Sequence, residues 1–447
     1  MKSKVSMVMP VYNKIDYIDM MLESVYKQVW NNIELIMVND GATDGTREKL
    51  SEWEPKFTSR GFEVIIIDQE NQGIPGAVKS GLMRISGDYV CVVDCDDMLD
   101  PEYVSVMAGW LDEHPEDMWA VCLWNGITIE NGNISIEHTA DVSTIPTPPN
   151  MMEKYLSAKY CPTIWIYMVR VEYLKKCKVV DGYVTDIKST QEPGFVLPLI
   201  NGAGKLKLIN RPLYNYNLHD NRASLHKEAL SAIIYHNTYR ELTLKIINGL
   251  DADASTKKKW RILAEFAPKR FLIRSLMRFD DKSLYLQEAV SEVVSLVNKH
   301  FRPDPKITIE SILINGFEFL SSAIADCILG TTVGKEPIIM ELSFNRIIAW
   351  GAAGKRGRSI LPGLRGTILE PTELWDIESN NSFIKKPDQS RLNSSDLVLV
   401  LPEYNISIIS ALKKCDCQYI TYDKIIAYIA RKKYPGFYDG TISFVVD

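Results

Sequence analysis

No apolar run in the 447-residue chain approaches the length of about 18 that a membrane-spanning helix needs. The opening stretch MKSKVSMVMP reaches a proline after five or six mostly apolar residues, too few for a secretory leader. A cytoplasmic chain is therefore expected, with contact at a membrane surface left open. The eight cysteines include no C-x-x-C pair. Cys415 and Cys417 stand close together as C-D-C, but no histidine flanks them as a zinc site would want, so reduced structural thiols are expected. Positive charge is not in excess either: 51 Lys and Arg face 57 Asp and Glu, for a net charge of −6. That balance argues against non-specific nucleic-acid binding, which draws on a basic surface. Low-complexity segments and repeats at solenoid periods are missing too. With 46% hydrophobic and 24% charged residues, the composition excludes disorder, collagen-like repeats and a disulfide miniprotein. At about 100–200 residues per domain, the length implies two to four domains.

The first hundred residues alternate short apolar runs with helical patterns. Val5–Pro10, Ile33–Asp40, Phe62–Asp68 and Asp88–Asp94 read as buried strands. Between the first two, Ile18, Met21, Leu22, Val25 and Val29 recur at helical spacing within Asp16–Val29. This β-α-β-α order predicts a parallel sheet covered by helices on both faces. Ligands of such sheets bind beyond the carboxyl ends of the strands, and those ends read PVYN, NDG, DQENQG and DCDD. Polar residues collect where a site should be.

From about Lys227 to Gly330 strand alternation disappears and the periodicity is helical. Within this segment, Lys257–Phe279 carries Lys257, Lys258, Lys259, Arg261, Lys269, Arg270, Arg274 and Arg278 against one acid, Glu265. Two readings apply. One is a helix packed on the first domain with a solvated charged face; the other is an interfacial helix meeting a membrane or polyanionic acceptor. The packed helix is the expectation. Near Pro337 a third unit begins. NRIIAWGAAGKRGRSIL reads as strand, glycine-rich turn and helix, RGTILE as a strand ending in Glu370, and SDLVLVLPEYN as a further strand leading into a helix. Two or three β-α units in so short a stretch predict a small Rossmann-like domain.

The densest chemistry is VVDCDD, where Asp94, Asp96 and Asp97 end a Val-rich strand. Three carboxylates this close repel one another unless they share a cation, and oxygen ligands suit Mg²⁺ or Mn²⁺. A helix cap explains one such Asp more readily than three. From Val5 to Val104 the chain resembles the nucleotide-binding half of family 2 glycosyltransferases with the GT-A fold. P-V-Y-N, N-D-G-x-T-D and D-x-D-D appear in that family's order and spacing.

The resemblance implies roles. Pro10 and Tyr12 would lie at the donor, with Tyr12 stacking on the nucleotide base and Asp40 hydrogen-bonding its edge. Asp94 would face ribose and sugar, and Asp96 would hold the cation bridging the diphosphate. Where the family has Arg in A-R-N-x-G, this chain reads Ala77, Val78, Lys79, Ser80, Gly81, so Lys79 stands as a point charge without bidentate geometry. The family's E-D-x-x-F-x-L-R-L segment corresponds to QEPGFVLPL. That register places Glu192 at the catalytic base, Gln191 where the family has Glu and Pro198 where it has Arg, with Asp186 as the nearest substitute base. RPLYNYNLHDNRASLH resembles the closing segment, which implies that His219 returns to the metal or the diphosphate. Lys205, Arg211 and Arg222 are further candidates for the diphosphate, and Trp124, Asn125, Trp165 and Tyr167 for an acceptor wall.

In the third unit, Gly351, Gly354 and Gly357 form G-x-x-G-x-x-G between strand and helix, and Glu370 stands where a ribose-binding acid would sit. The module binds a second nucleotide, packs the protein together or mediates homo-oligomers. The expected organisation is a GT-A domain over 1–222, a helical segment over 223–332 and a Rossmann-like domain over 333–447. The expected activity is metal-dependent, inverting transfer of a sugar from a nucleoside-diphosphate donor, UDP-linked, to a hydroxyl of a bacterial surface glycan or lipid-linked glycan. Two alternatives come from other classes: a nucleotide-sugar-binding protein without catalysis, and a nicotinamide-dependent oxidoreductase acting through the third unit.

Overall fold

The computed structural model describes residues 2–130, 132–140, 142, 145–157, 163–181, 191–219, 229–276, 284–303, 305, 307–310, 317–329, 344–353, 355–376, 383–401, 406–415, 417–439 and 441–445. The chain divides into two compact units, Met1–Asp280 and Asp281–Asp447.

In the first unit the expected alternation is present. Strand β1 (Val5–Val11), helix α1 (Ile18–Tyr26), β2 (Ile33–Asn39), α2 (Thr46–Ser59), β3 (Glu63–Asp68), α3 (Gly73–Leu82) and β4 (Tyr89–Val92) follow one another. β1 pairs in parallel with β2 and β4, and β2 in parallel with β3. Every residue of β1 and β2 is buried, so neither strand alternates apolar with polar. Gly81 permits one close approach, since a Cβ there would lie 2.4 Å from Val8 Cγ1. Glu34, buried in β2, accepts from Ser6 Oγ, from Ser86 N at 2.9 Å and from Ser86 Oγ at 2.5 Å, and Lys4 Nζ lies 3.2 Å away.

Past β4 the sheet becomes mixed. β5 (Met98–Leu99), α4 (Tyr103–Glu113), β6 (Asp117–Glu130), β7 (Asn133–Thr139), α5 (Met151–Leu156), β8 (Tyr167–Arg170), α6 (Val171–Lys176), α7 (Glu192–Asn201) and β9 (Lys205–Asn217) follow. The strand order is β3-β2-β1-β4-β8-β6-β9-β5, with β7 paired to β6. β8 is antiparallel to β4 and β6, whereas β9 runs parallel to β6 and antiparallel to β5.

The expected acceptor wall is mostly core. Trp165 stacks on Tyr214 and Tyr216, with centroids 4.3 and 5.4 Å away, and meets Trp124 edge-on at 5.6 Å. Tyr167 is fully buried and stacks on Trp119. Asn125 Nδ2 donates to Asn215 Oδ1 at 2.9 Å. The Trp165 and Tyr167 faces are spent on neighbouring rings, so these two do not present a sugar-stacking surface.

Helices α8 (Ala229–Gly249) and α9 (Ala254–Leu276) pack on each other, α8 also on α7 and α9 on α5. The basic helix is α9. It buries Trp260, Leu263, Phe266, Ile273 and Leu276, and Lys259 Nζ pairs with Glu153 Oε1 at 3.2 Å. These contacts fit the packed reading of this helix. No helix among the described residues is long and apolar enough to cross a membrane.

The second unit contains α10 (Leu284–His300), β10 (Phe301–Arg302), α11 (Phe317–Leu329), β11 (Arg346–Trp350), α12 (Lys355–Leu364), β12 (Glu373–Trp375), β13 (Asp396–Val400), α13 (Ile406–Leu412), β14 (Gln418–Ile420), α14 (Tyr422–Lys433) and β15 (Ser443–Phe444). β12, β11, β13 and β14 form a parallel sheet in that order, a Rossmann-like arrangement. The helical stretch expected over 223–332 is shared, α8 and α9 in the first unit, α10 and α11 in the second. RGTILE is not a strand. Gly366 takes a left-handed turn at φ 69°, and its N–H donates to Glu370 Oε2 at 2.7 Å. The strand follows at Glu373.

Candidate functional site

The site grows from the carboxyl ends of β1, β2 and β4. Pro10 is buried within β1, while Tyr12, just past it, is 45% exposed. An exposed aromatic beyond a strand end is not core filling. The turn that follows is fixed to the loop after β2. Thr43 N donates to Asn13 Oδ1 at 2.8 Å, Lys14 N to Thr46 Oγ1 at 2.9 Å and Ile15 N to Asp44 Oδ2 at 3.0 Å. Asn13 adopts a left-handed φ of 47°, and the N–H groups of Tyr17 and Ile18 both reach Lys14 O at 2.9 Å to start α1. Asp40 is buried, and its Oδ1 accepts from Gln69 Nε2 and Gln72 N, both at 2.8 Å, securing the loop after β3.

The three carboxylates past β4 divide their work. Asp97, 1% exposed, accepts from Tyr214 Oη at Oδ2 and from Asn217 N at Oδ1, both at 2.8 Å. Asn217 Nδ2 donates to Asp96 O at 3.1 Å, and Asp94 N donates to Tyr214 Oη at 3.1 Å. Thus β9 holds the whole turn. Burial, reinforced by the charges of Asp96 and Asp94, pushes Asp97 well above the usual carboxylate range. Asp94 is pushed up to about 8 by burial first, then by the charges of Asp96 and Glu192, against an opposing pull from Lys14. Asp96 goes the other way: burial would raise it, but His219 and Lys14 outweigh that and hold it low.

Asp96 Oδ2 is where the site converges. Lys14 Nζ lies 2.7 Å from it and His219 Nε2 3.0 Å. With the carboxylate accepting, His219 Nε2 carries the hydrogen. Tyr17 stacks on the His219 ring at 4.0 Å, and Lys14 Nζ stands 5.8 Å from the Tyr17 centroid. Glu192 is the first residue of α7, and its Oε2 accepts from Gln191 N at 3.1 Å. It acts as a helix-start acid and also as a charge felt by Asp94.

The expected residues are thus only partly gathered. Asp94, Asp96, His219 and Glu192 belong to one electrostatic cluster, with Tyr12 and Asp40 at the ends of the neighbouring strands. Lys79 lies in the last turn of α3; the cation on Asp96 is Lys14, which spacing did not single out although it directly follows P-V-Y-N. Tyr17, Asp44, Tyr214 and Asn217 were missed as well, because their contribution depends on contacts far apart in sequence. Lys205 is a correction. It starts β9, at the opposite end of the strand from His219, and pairs with Glu116 at 3.1 Å and Asp117 at 2.9 Å. Arg211 pairs with Glu102 at 2.7 Å instead. Arg222 and Asp186 lie outside the described residues.

These donors suit a hard divalent cation: carboxylate oxygens lead, and Asp96 Oδ2 already draws two hydrogen-bond donors, one of them an ammonium. A second group of donors, His114, Glu116 and Asp117, has ligand atoms within 4.8 Å of one another. Its centre of negative charge is already met by Lys205. In the second unit, Gly351 has a φ of 87°, and a Cβ on Gly357 would fall 2.3 Å from Gly351 O, so α12 starts tightly against the turn. Gly354 lies outside the described residues. Asp376, directly after β12, accepts from Ala353 N at 2.9 Å. The acid facing the glycine turn is Asp376, not Glu370.

The family model described as Glycosyl transferase family 2 matches residues 6–172. This stretch is a family 2 glycosyl transferase domain. With the mixed sheet of the first unit, the match bears out the expected α/β GT-A class. Glycosyltransferase GlyA of Streptococcus pneumoniae serotype 4 is 36% identical over 115 residues, 26% of this chain and 16% of that protein. The chondroitin synthase of Escherichia coli is 29% identical over 223 residues, 50% of this chain and 30% of its own length. The chain therefore spans less than a third of either relative. Among solved structures, S. aureus TarS 1–349 in complex with UDP-GlcNAc is 17% identical with a TM-score of 0.47, covering 72% of this chain and 86% of that one. The glycosyl transferase family 2 match ends before Glu192, β9 and His219, which the first unit nonetheless brings to the domain's carboxylates.

Proposed function

We propose that the chain is an inverting glycosyltransferase that moves a sugar from a nucleoside-diphosphate donor, UDP-linked, to a hydroxyl of a bacterial surface glycan or its lipid-linked precursor. The observation that carries the proposal is the Asp94–Asp97 turn, where Asp96 gathers Lys14 and His219 on one oxygen beside Asp94. The family match and the relative named as a chondroitin synthase support it. In this reading Tyr12 stacks on the base and Asp40 receives its edge through Oδ2, since Oδ1 already serves the loop after β3. Asp94 faces the ribose and sugar. Asp96, with His219 beside it, would hold Mn²⁺ or Mg²⁺, which when bound neutralises the departing diphosphate as a Lewis acid. Glu192 takes the proton of the acceptor hydroxyl. The freed oxygen attacks the anomeric carbon from the face opposite the diphosphate, one C–O bond forms as the other breaks, and the configuration inverts. We place the enzyme in the cytoplasm, working at the inner face of the membrane.

Incubation with UDP- and GDP-sugars, with Mn²⁺ or with EDTA, tests this through nucleoside diphosphate released and anomeric configuration of the product. Metal-stimulated turnover with inversion is expected. Nucleotide-sugar binding without turnover under any condition would leave only the binding-protein reading.

A further inference from the structure

Lys14 is a cation built into the place where a second cation is expected. Its ammonium lies 2.7 Å from Asp96 Oδ2, and His219 Nε2 lies 3.0 Å from the same oxygen. A carboxylate oxygen offers two lone pairs, and both are engaged. A divalent ion approaching this oxygen to about 2.1 Å must displace one of these donors. The Lys14 backbone has little freedom to withdraw. Its N–H is tied to Thr46, the next residue's N–H to Asp44, and its carbonyl receives the first two N–H groups around the start of α1. Only the side chain can swing. Lys14 stands two residues past the exposed Tyr12, with its ammonium 5.8 Å from the Tyr17 ring centroid.

We propose that Lys14 is a positioning residue, the resident counter-ion of Asp96, which keeps divalent metal from binding tightly to the empty enzyme and moves to the donor's diphosphate when the nucleotide arrives. Metal and nucleotide then enter together. This inference rests on the donor reading above. An ammonium fixed beside a carboxylate repels a divalent ion, while the two phosphates of a nucleoside diphosphate offer the same ammonium a more negative partner.

The test compares Mn²⁺ binding, followed by electron paramagnetic resonance of the free ion, in the full-length wild type and in Lys14→Met. Without nucleotide, Lys14→Met should bind Mn²⁺ at least about tenfold tighter, a gain that a merely structural defect would not produce. With saturating UDP or GDP, the wild type should tighten and the difference should close. Lys14→Arg, which keeps the charge, should resemble the wild type. Lys14→Gln serves as a second neutral variant if Lys14→Met melts early. Equal or weaker Mn²⁺ binding by the neutral variants overturns the proposal, as does wild-type Mn²⁺ affinity that ignores the nucleotide it binds. Should neither nucleotide bind the wild type, the donor reading fails, and the nucleotide-free comparison still decides whether Lys14 guards Asp96.

Discussion

Asp96 and Asp97 are neighbours with different tasks, and substitution should separate them. Asp96→Asn removes the charge on which Lys14 and His219 converge; transfer should fall by at least about a hundredfold, with the thermal melting curve close to wild type. Asp97→Ala deletes a buried acceptor used by Tyr214 and Asn217. It should cost about 1–3 kcal/mol, read as a lowered urea midpoint, and reduce activity through displacement of the turn. Glu192→Gln keeps size and helix-start hydrogen bonding but cannot take a proton. Its kcat should drop by about 10²–10⁴ while donor binding, measured by calorimetry, stays within a few-fold of wild type. Unchanged kcat would remove Glu192 from the mechanism. The carboxylates were legible because acidic clusters after a Val-rich strand are rare without a job. Lys14 was not, since a lysine in a turn looks like any solvated lysine until its neighbours are known.

Among elements, β1 to β4 could be read from their unbroken apolar runs, and Asp40 and Asp94–Asp97 fell at their ends as parallel sheets require. The partner of β6 could not be read. β9 pairs with it across about ninety residues, and nothing local in Lys205–Asn217 announces that alignment. The same pairing turned Lys205 into a partner of Asp117 and the aromatics into core. Two predictions belong at this scale. Gly81→Ala places a methyl against Val8 in the α3–β1 contact and should destabilise by about 1–3 kcal/mol, seen as a lower Tm with donor binding retained once folded. Glu34 is a matter of pH. Burial would raise its carboxyl, but the bonds from Ser6, Ser86 and Lys4 outweigh it and hold it below its ordinary value. A depressed carboxylate stabilises the fold above its unfolded pKa of about 4.3, and that contribution disappears as pH falls through the folded value. Glu34→Gln should therefore lose stability at pH 7 and approach the wild type in acid; a gap that stays constant from pH 7 to pH 3 would contradict the sign.

At the scale of the molecule, the residues assigned to the donor, from Pro10 to His219, all lie within the first unit. Met1–Asp280 produced alone should fold cooperatively and bind a nucleoside diphosphate with wild-type affinity, checked by thermal melting with and without UDP and Mn²⁺. Loss of binding in that fragment would assign the second unit a part in the site. The small parallel sheet of that unit was readable from strand–turn–helix order, whereas the place of its acid was not, because the Gly366 turn delays β12 until Glu373. The attachment of Asp97 to Asn217 also bears on synthesis. A ribosome that has delivered the stretch matching the family, through residue 172, has not yet delivered Tyr214 or Asn217. The emerging chain then carries a carboxylate destined for the interior with neither donor present. The hydrogen bonds that hold Asp97 can therefore form only once Asn217 has left the tunnel as well.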